Sequence, residues 1–237
     1  MQRRTLIAAS AALALPARAQ GAVDLQLVLA VDVSRSVDED EARLQREGYR
    51  DAMADPRVVR AIQGGMIGAV AVAYVEWAGW GFQSLVLPWT RIAGPAESAA
   101  WSQALAESPR QSMSWTSISG ALAFSGRVLA ACPFEGTRRV VDVSGDGVNN
   151  QGPPAEYERD RLVADGVTIN GLPIVNDRPN FGNMPGRELE PYFRESVIGG
   201  PGAFLIVAEN FEAFGDAIRR KLIQEIAAPS RAGTGLG

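Results

Sequence analysis

Five oxygen-bearing side chains fall in three short segments of the sequence, and their chemistry suits a hard metal ion. They are Asp32, Ser34, Ser36, Thr116 and Asp146. The first three form an Asp-x-Ser-x-Ser pattern, which can turn all three groups the same way if the segment is extended or turns tightly. Carboxylate and hydroxyl oxygens favour Mg²⁺, Mn²⁺ or Ca²⁺ over a soft metal. Because the hydroxyls are neutral, a bound cation would keep an open position that attracts an anionic oxygen.

The elements predicted around these segments alternate between strands and helices. Residues 25–31 form an apolar run bounded by Asp24 and Asp32, which is typical of a strand buried on both faces of a parallel sheet. The predicted strands are 25–31, 66–77, 82–89, 139–144, 167–175 and 203–207, and the predicted helices are 38–53, 97–106, 118–131, 153–164, 189–197 and 210–227. The glycine-rich turn between the second and third strands is too short for a parallel crossover, so these two strands are antiparallel. The sequence therefore predicts a doubly wound α/β fold, with a mostly parallel six-stranded sheet, one antiparallel edge strand and helices on both faces.

All three segments lie where such a sheet presents ligands, beyond the carboxyl ends of its strands. Asp32 follows the first strand, Asp146 follows the strand at 139–144, and Thr116 comes just before the helix at 118–131. An alternative interpretation remains open for the hydroxyl groups. Ser34 and Ser36 could cap the helix that begins near residue 38, and Thr116 could be the N-cap of its own helix.

The three segments, in this chain order, resemble the metal-ion-dependent adhesion site of von Willebrand factor A domains. That family's pattern is Asp-x-Ser-x-Ser, then a threonine, then an aspartate. The resemblance implies that Ser34, Ser36 and Thr116 contact the metal through their hydroxyls, and that Asp32 and Asp146 act directly or through water. It also implies a divalent cation, Mg²⁺ ahead of Mn²⁺ or Ca²⁺, and the strand order 3-2-1-4-5-6. More closely, the chain is similar to an exported bacterial branch of that family (DUF1194-like).

Composition excludes several classes of function. The sequence contains no histidine, which excludes Ser-His-Asp and Cys-His catalysis and histidine zinc sites. Without residues 1–19 the chain has 20 basic and 27 acidic residues, a net charge of −7, and no basic stripe. Nucleic acid is therefore not an expected partner.

The first residues have the features of an export signal. Arg3 and Arg4 precede a short Ala/Leu-rich run, and Ala17-Arg18-Ala19 is an A-x-A cleavage pattern. We expect a signal peptide at 1–19, a single domain of the resembled type at 20–227 and a disordered tail at 228–237. The apolar run is about half the length of a membrane-spanning helix. The mature chain is thus expected to be exported, periplasmic or secreted, and not embedded in a membrane.

Two classes of function fit these residues. The first is a metal-dependent binding module, for adhesion or for assembly of another exported protein, in which an acidic group of a protein partner completes the metal's coordination. The alternative is a metal-dependent phosphoester hydrolase with Asp32 or a metal-bound water as nucleophile. Ser34 argues against the hydrolase, because related phosphatases place a second carboxylate two residues after the nucleophile. The only lysine, Lys221, lies in the last predicted helix, away from the site.

Three neighbouring features allow two interpretations each. Asp142 lies inside an apolar strand, where an unpaired charge is costly, so we expect it to pair with an arginine. The alternative is that Asp142 tunes the metal. Trp115 could belong to a recognition surface or to the core. Asn149 and Asn150 either form a turn or orient ligands.

Overall fold

The computed structural model describes residues 21–175 and 189–228. Its strands are β1 (Ala22–Val23), β2 (Leu25–Asp32), β3 (Val70–Trp77), β4 (Gln83–Ile92), β5 (Glu135–Gly136), β6 (Arg139–Gly145) and β7 (Thr168–Pro173). The main sheet has the order β4-β3-β2-β6-β7, with β4 antiparallel to β3 and the other pairs parallel. This order agrees with the first five positions implied by the resemblance. Strands β1 and β5 form a separate two-stranded parallel pair.

Helices cover both faces of the sheet. They are α1 (Glu39–Ala54), α2 (Pro56–Gln63), α3 (Pro95–Glu107), α4 (Ile118–Ala130), α5 (Ala155–Ala164), α6 (Leu189–Tyr192), which continues into a π-helical turn (Phe193–Val197), and α7 (Phe214–Ala227). Side chains of β2 alternate between two cores, as the period of a strand requires. Leu27 and Leu29 pack with α1, α3 and α7, whereas Val28 and Ala30 pack with α4 and α5. The central strand is therefore buried on both sides, as its apolar run predicts.

The sequence does not predict α2. A local signal for it exists, because Asp55 is its N-cap and Pro56 occupies its first turn. Proline is favoured there, where its missing N–H has no helical partner. The predicted strand 66–77 begins late, at Val70, because Asp24 accepts hydrogen bonds from the backbone of Ile67 and Gly68 and holds a turn there.

The prediction of a sixth regular strand at 203–207 is wrong, and Pro173 gives the reason. This segment lies parallel to β7 but makes only isolated bridges, at Gly171–Leu205 and Ile174–Ala208. The Gly171 N–H donates to Phe204 O, and Gly171 O accepts from the Ile206 N–H, both at 3.1 Å. Two residues further along β7, the Ala208 N–H donates to Pro173 O at 3.0 Å. The next bond of the ladder would need an N–H on Pro173, which proline lacks.

Several expectations fall on other parts of the chain. The signal peptide at 1–19, the Gly/Pro/Asn-rich segment at 176–187 and the tail beyond residue 228 lie outside the described residues. None of the helices within 21–175 and 189–228 is long and apolar enough to cross a membrane.

Candidate metal centre

The first and third predicted segments meet because their strands are neighbours. Strand β2 pairs in parallel with β6, with Val31 opposite Ser144. Their carboxyl ends therefore lie side by side, with Asp32 ending β2 and Asp146 following β6. The approach is close at Gly145, where an added Cβ would stand 3.0 Å from Asp32 Oδ2 and 3.4 Å from the Trp77 ring. A side chain here would press on the carboxylate of Asp32 and make it shift, so glycine allows the two strand ends to approach closely.

Four of the five predicted residues form one continuous hydrogen-bonded chain. The backbone N–H of Ser34 donates to Asp32 Oδ1 at 2.7 Å. The hydroxyls of Ser34 and Ser36 are 2.8 Å apart, and Ser36 Oγ donates to Asp146 Oδ1 at 2.7 Å. Asp32, Ser34 and Asp146 are all buried. The structure thus gathers two carboxylates and two hydroxyls into one cluster of hard oxygen donors, in which Ser36 and Asp146 are 110 residues apart in sequence.

The electrostatics of this cluster fit a cation. Burial raises the pKa of Asp32 well above its usual range, and the negative charge of Asp146 raises it further, although hydrogen bonding from Ser34 opposes the shift. Asp32 Oδ2 is buried and has no hydrogen-bond partner among the described residues. A divalent cation would compensate both the charge and the unused oxygen, so the residues present fit a metal ion of the predicted kind.

The helix-capping interpretation of the two serines is wrong. Helix α1 is capped by Asp38, whose carboxylate accepts from the Glu41 N–H, while the Glu41 side chain accepts from the Asp38 N–H. This reciprocal capping box satisfies the start of the helix. The hydroxyls of Ser34 and Ser36 therefore do not cap α1 and instead take part in the carboxylate cluster.

Thr116 is not a helix cap either. Ser117 caps α4, and its Oγ accepts from the Gly120 N–H at 3.1 Å. Thr116 is buried beside the cluster's first loop, because the preceding Met113 forms a parallel bridge with Ser34. Among the described residues, however, its hydroxyl is not part of the hydrogen-bonded chain that joins the other four. Its role as a metal ligand stays a prediction, as does that of the whole set.

The two asparagines after β6 position the loop around Thr116. Asn150 Oδ1 accepts from the Thr116 N–H at 2.9 Å, and the Asn150 N–H donates to Thr116 O at 2.9 Å. Asn149 Oδ1 accepts from the backbone and hydroxyl of Ser119. The turn-forming interpretation is thus incomplete, because both side chains fasten the loop after Asp146 to the start of α4. Local sequence could not reveal these partners, which lie 30 and 34 residues away.

Charged groups behind the site are paired. Asp142 forms an ion pair, as expected, but its partner is Lys221 and the expectation of an arginine is wrong. Lys221 lies on α7, which packs next to β6, and its fully buried ammonium group reaches the carboxylate of Asp142. Glu76, to which the sequence assigns no role, pairs with Arg46 of α1. Arg46 also donates to the backbone carbonyl of Ser108, at the start of the loop that leads to Thr116.

An apolar rim lies on the loops next to the cluster. We define it as Trp80, Met113 and Trp115, which are 44%, 48% and 61% exposed. Gln151 Oε1 accepts from the Trp80 N–H at 2.8 Å, and Trp115 lies against Gly79. Trp115 has a positive φ of 74°, which is unusual for a bulky residue. Its exposure excludes the core-packing interpretation.

The sheet order and the surrounding helices define a von Willebrand factor A-type fold. One similar structure is proximal thread matrix protein 1 from the mussel byssus, with a TM-score of 0.60 and 15% identity over 88% of this chain and 48% of that one. It is described with zinc in its MIDAS motif, the abbreviation for a metal-ion-dependent adhesion site. The pilus adhesin SpaC of Lactobacillus rhamnosus GG gives 0.60 and 14%, over 86% and 31%. A von Willebrand factor type A protein of Catenulispora acidiphila gives 0.57 and 14%, over 86% and 43%.

This chain belongs to the DUF1194 family, described as a protein of unknown function, whose family model matches residues 22–230. No curated protein sequence matches it. The chain spans less than half the length of the three similar structures. At these identities the likeness establishes the fold.

Proposed function

We propose that this chain is an exported, metal-dependent binding module that captures an acidic side chain of a protein partner. A divalent cation would be held by Asp32, Ser34, Ser36, Thr116 and Asp146. The hydrogen-bonded chain from Asp32 to Asp146, with a buried Asp32 Oδ2 that has no hydrogen-bond partner among the described residues, is the observation that carries this proposal.

The donor set argues for Mg²⁺, with Mn²⁺ and Ca²⁺ as alternatives of the same hard class. When bound, the ion would supply a positive centre with a coordination position open to an oxygen from another molecule. If Asp32 and Asp146 act through water, the hydroxyls in direct contact with the ion are neutral, and a carboxylate from a partner would be favoured at the open position. The zinc described in the mussel protein shows that a site of this type in a relative of the fold accepts a divalent cation.

The apolar rim supports a protein as the partner. Trp80, Met113 and Trp115 offer aromatic and thioether surface beside the carboxylate cluster. Such residues are enriched where proteins meet, and tryptophan often dominates the binding energy. A partner would then place its acidic group on the metal and its apolar surface against this rim.

Two further parts of the proposal rest on the sequence. Export to the periplasm or beyond the cell rests on the signal peptide predicted at 1–19. A binding rather than enzymatic role rests on the lack of histidine and on Ser34, which occupies the place of a second catalytic carboxylate. Hydrolysis of a generic phosphoester that disappears with Asp32→Ala would contradict this role.

Thermal unfolding tests the metal site. The mature protein is unfolded in EDTA and then with millimolar Mg²⁺, Mn²⁺ or Ca²⁺, beside Asp146→Ala. A ligand at one hundred times its dissociation constant adds about 2.7 kcal/mol to the free energy of unfolding, so we expect a midpoint higher by several degrees in the wild type alone. An equal rise in Asp146→Ala, or no rise in either protein, would contradict the site.

Capture experiments test the partner surface. The immobilised mature chain is exposed to exported proteins in Mg²⁺ or in EDTA. We expect binding that EDTA and Asp146→Ala abolish and that Trp115→Ala weakens without changing the metal response. The matched control is Met66→Ala, which removes a side chain that is 89% exposed at the other end of β3. Capture that is indifferent to EDTA would refute a metal-dependent role.

A further inference from the structure

The chain contains a single lysine, and it is fully buried. All other basic residues among the 23 are arginines, whereas Lys221 on α7 has no exposed side-chain area. Arginine is the better residue for a buried ion pair, because its planar fork binds carboxylates in two places and is weakly hydrated. Lysine differs in one chemical respect, since its deprotonated amine is a nucleophile.

Two carboxylates converge on the Lys221 amine. Its Nζ lies 2.5 Å from Asp142 Oδ1 on β6 and 2.5 Å from Glu225 Oε1, one helical turn further along α7. Within residues 21–175 and 189–228, neither oxygen of Asp142 makes a hydrogen bond of ordinary geometry, so this contact is a close approach rather than a well-aligned bond. Asn170 Nδ2 donates to Glu225 Oε1 at 2.8 Å and fixes that carboxylate in place.

The cluster is buried, and its burial favours the protonated form of Asp142. Asp142, Lys221 and Glu225 are all at most 1% exposed, and the Phe204 ring lies 5.3 Å from Lys221 Nζ. Burial raises the pKa of Asp142 to about 7, and the charge of Glu225 adds to this effect against the opposing effect of Lys221. Moving one proton from the ammonium to Asp142 yields an amine and a carboxylic acid without any charge leaving the cluster.

We propose that Lys221 and Asp142 join in an intramolecular isopeptide bond, with Glu225 relaying the protons. The lone pair of Nζ attacks Cγ of the protonated Asp142 carboxyl. Glu225 takes a proton from the attacking nitrogen and passes it to the departing hydroxyl. One N–C bond forms, one C–O bond breaks and one water molecule is released, with no change in oxidation state.

This bond would fasten α7 covalently to the strand that leads to Asp146. It closes a long loop of the chain, which restricts the unfolded state and so stabilises the folded one. The inference uses none of the proposed metal ligands, and it holds or fails independently of metal binding.

Mass spectrometry of the purified mature protein, denatured before injection, tests the proposal. We expect an intact mass lower than the sequence mass by one water molecule. Trypsin should yield residues 140–159 and 221–231 as one branched species, because an acylated lysine is no longer cleaved. An unlinked chain would instead give residues 140–159 and 222–231 separately. A wild-type mass equal to the sequence mass overturns the proposal.

The peptide map also excludes a second route to the same mass. Asp146-Gly147 could lose water by closing to a succinimide, but residues 140–159 would then remain an unbranched peptide. That outcome overturns the cross-link. Lys221→Arg keeps the cation and cannot form the amide, so its mass should equal its sequence mass. Glu225→Gln keeps a polar group but cannot relay protons, so its cross-linked fraction should fall severalfold. The wild-type map decides the question even if a variant does not fold.

Discussion

Ser36 Oγ donates a 2.7 Å hydrogen bond to Asp146 Oδ1, and this bond sets the direction of the whole chain of donors. A hydroxyl has one proton to donate. Because Ser36 gives its proton to Asp146, the 2.8 Å contact between the serines must use the proton of Ser34. In the absence of a metal ion, these neutral hydroxyls would soften the repulsion between Asp32 and Asp146. A bound cation would stabilise the two carboxylates with a full positive charge, which is stronger than hydrogen bonding from neutral hydroxyls.

Replacing Asp32 by asparagine should stabilise the metal-free protein and abolish its response to metal. In the part of the chain that the structure describes, one oxygen of this buried carboxylate has no hydrogen-bond partner, and the group faces the charge of Asp146; both are costly without a cation. The measurement is urea unfolding in EDTA and in Mg²⁺. Destabilisation of the metal-free form by Asp32→Asn would show that the carboxylate is already compensated within the protein.

The same carboxylate predicts a pH dependence. The pKa of Asp32 is raised by burial and by Asp146, so between about 4, its usual value, and the raised value the folded state binds more protons than the unfolded state. The free energy of unfolding in EDTA should therefore fall as the pH rises through this window. Asp32→Asn should show a smaller fall, and saturating Mg²⁺ should also reduce it. Parallel pH profiles of the two proteins in EDTA would refute the assignment.

Gly145→Ala should weaken metal binding. The new Cβ would stand 3.0 Å from Asp32 Oδ2 and 3.4 Å from the Trp77 ring, so the carboxylate must shift. Overpacking of this kind costs about 1–3 kcal/mol. Gly81→Ala is the matched control, because an added Cβ there meets nothing within 4 Å. Calorimetric titration with Mg²⁺ should show lower affinity for Gly145→Ala only, and equal affinities would contradict the close packing.

The sequence predicts that Asp32 and Asp146 lie close together because its signals are local, whereas their role as metal ligands stays a prediction. Asp32 and Asp146 each follow an apolar strand directly, and parallel strands bring their carboxyl ends to one edge. The same logic explains the one wrong strand. Residues 203–207 have a strand-like composition, but regular pairing depends on the neighbouring strand, where Pro173 removes a donor. The pairing of residues 203–207 is thus decided by Pro173, which lies in a different segment of the chain.

Long-range partners are the part that the sequence does not predict. The pairing of Asp142 with Lys221 depends on where α7 crosses β6, and nothing in the local sequence reports that crossing. The hydrogen bond from the Thr116 N–H to Asn150 Oδ1 likewise depends on how two loops pack together. The capping alternative for Ser34, Ser36 and Thr116 is wrong for a related reason, since Ser34, Asp38 and Ser117 all have suitable side chains and only backbone geometry selects among them.

Asn150→Ala should lower both stability and metal affinity. It removes the acceptor for the Thr116 N–H, a bond whose net contribution is about 1 kcal/mol. Asn150→Asp retains an acceptor oxygen and should preserve stability. Chemical unfolding and Mg²⁺ titration of the two variants separate the outcomes. If Asn150→Ala and Asn150→Asp behave alike, the side chain does not position Thr116.

Arg46 should couple the stability of the domain to the loop that carries Thr116. Arg46 pairs with the nearly buried Glu76 and donates to Ser108 O at the start of that loop. Burial raises the pKa of Glu76 despite the opposing charge of Arg46, so removal of the arginine leaves a costly carboxylate. Because the pair is not fully buried, we expect Arg46→Met to cost about 3 kcal/mol, at the low end for a broken buried pair.

A double-mutant cycle with Glu76→Gln isolates this interaction. The double variant should be less destabilised than the sum of the single variants, because the uncompensated charge is removed. Glu76→Gln should retain the response to Mg²⁺, since Arg46 still holds Ser108. Arg46→Met should weaken that response even in the double variant, because the loop loses its anchor. Additive free energies together with an unchanged metal response would mean that Arg46 neither pairs with Glu76 in solution nor positions the loop.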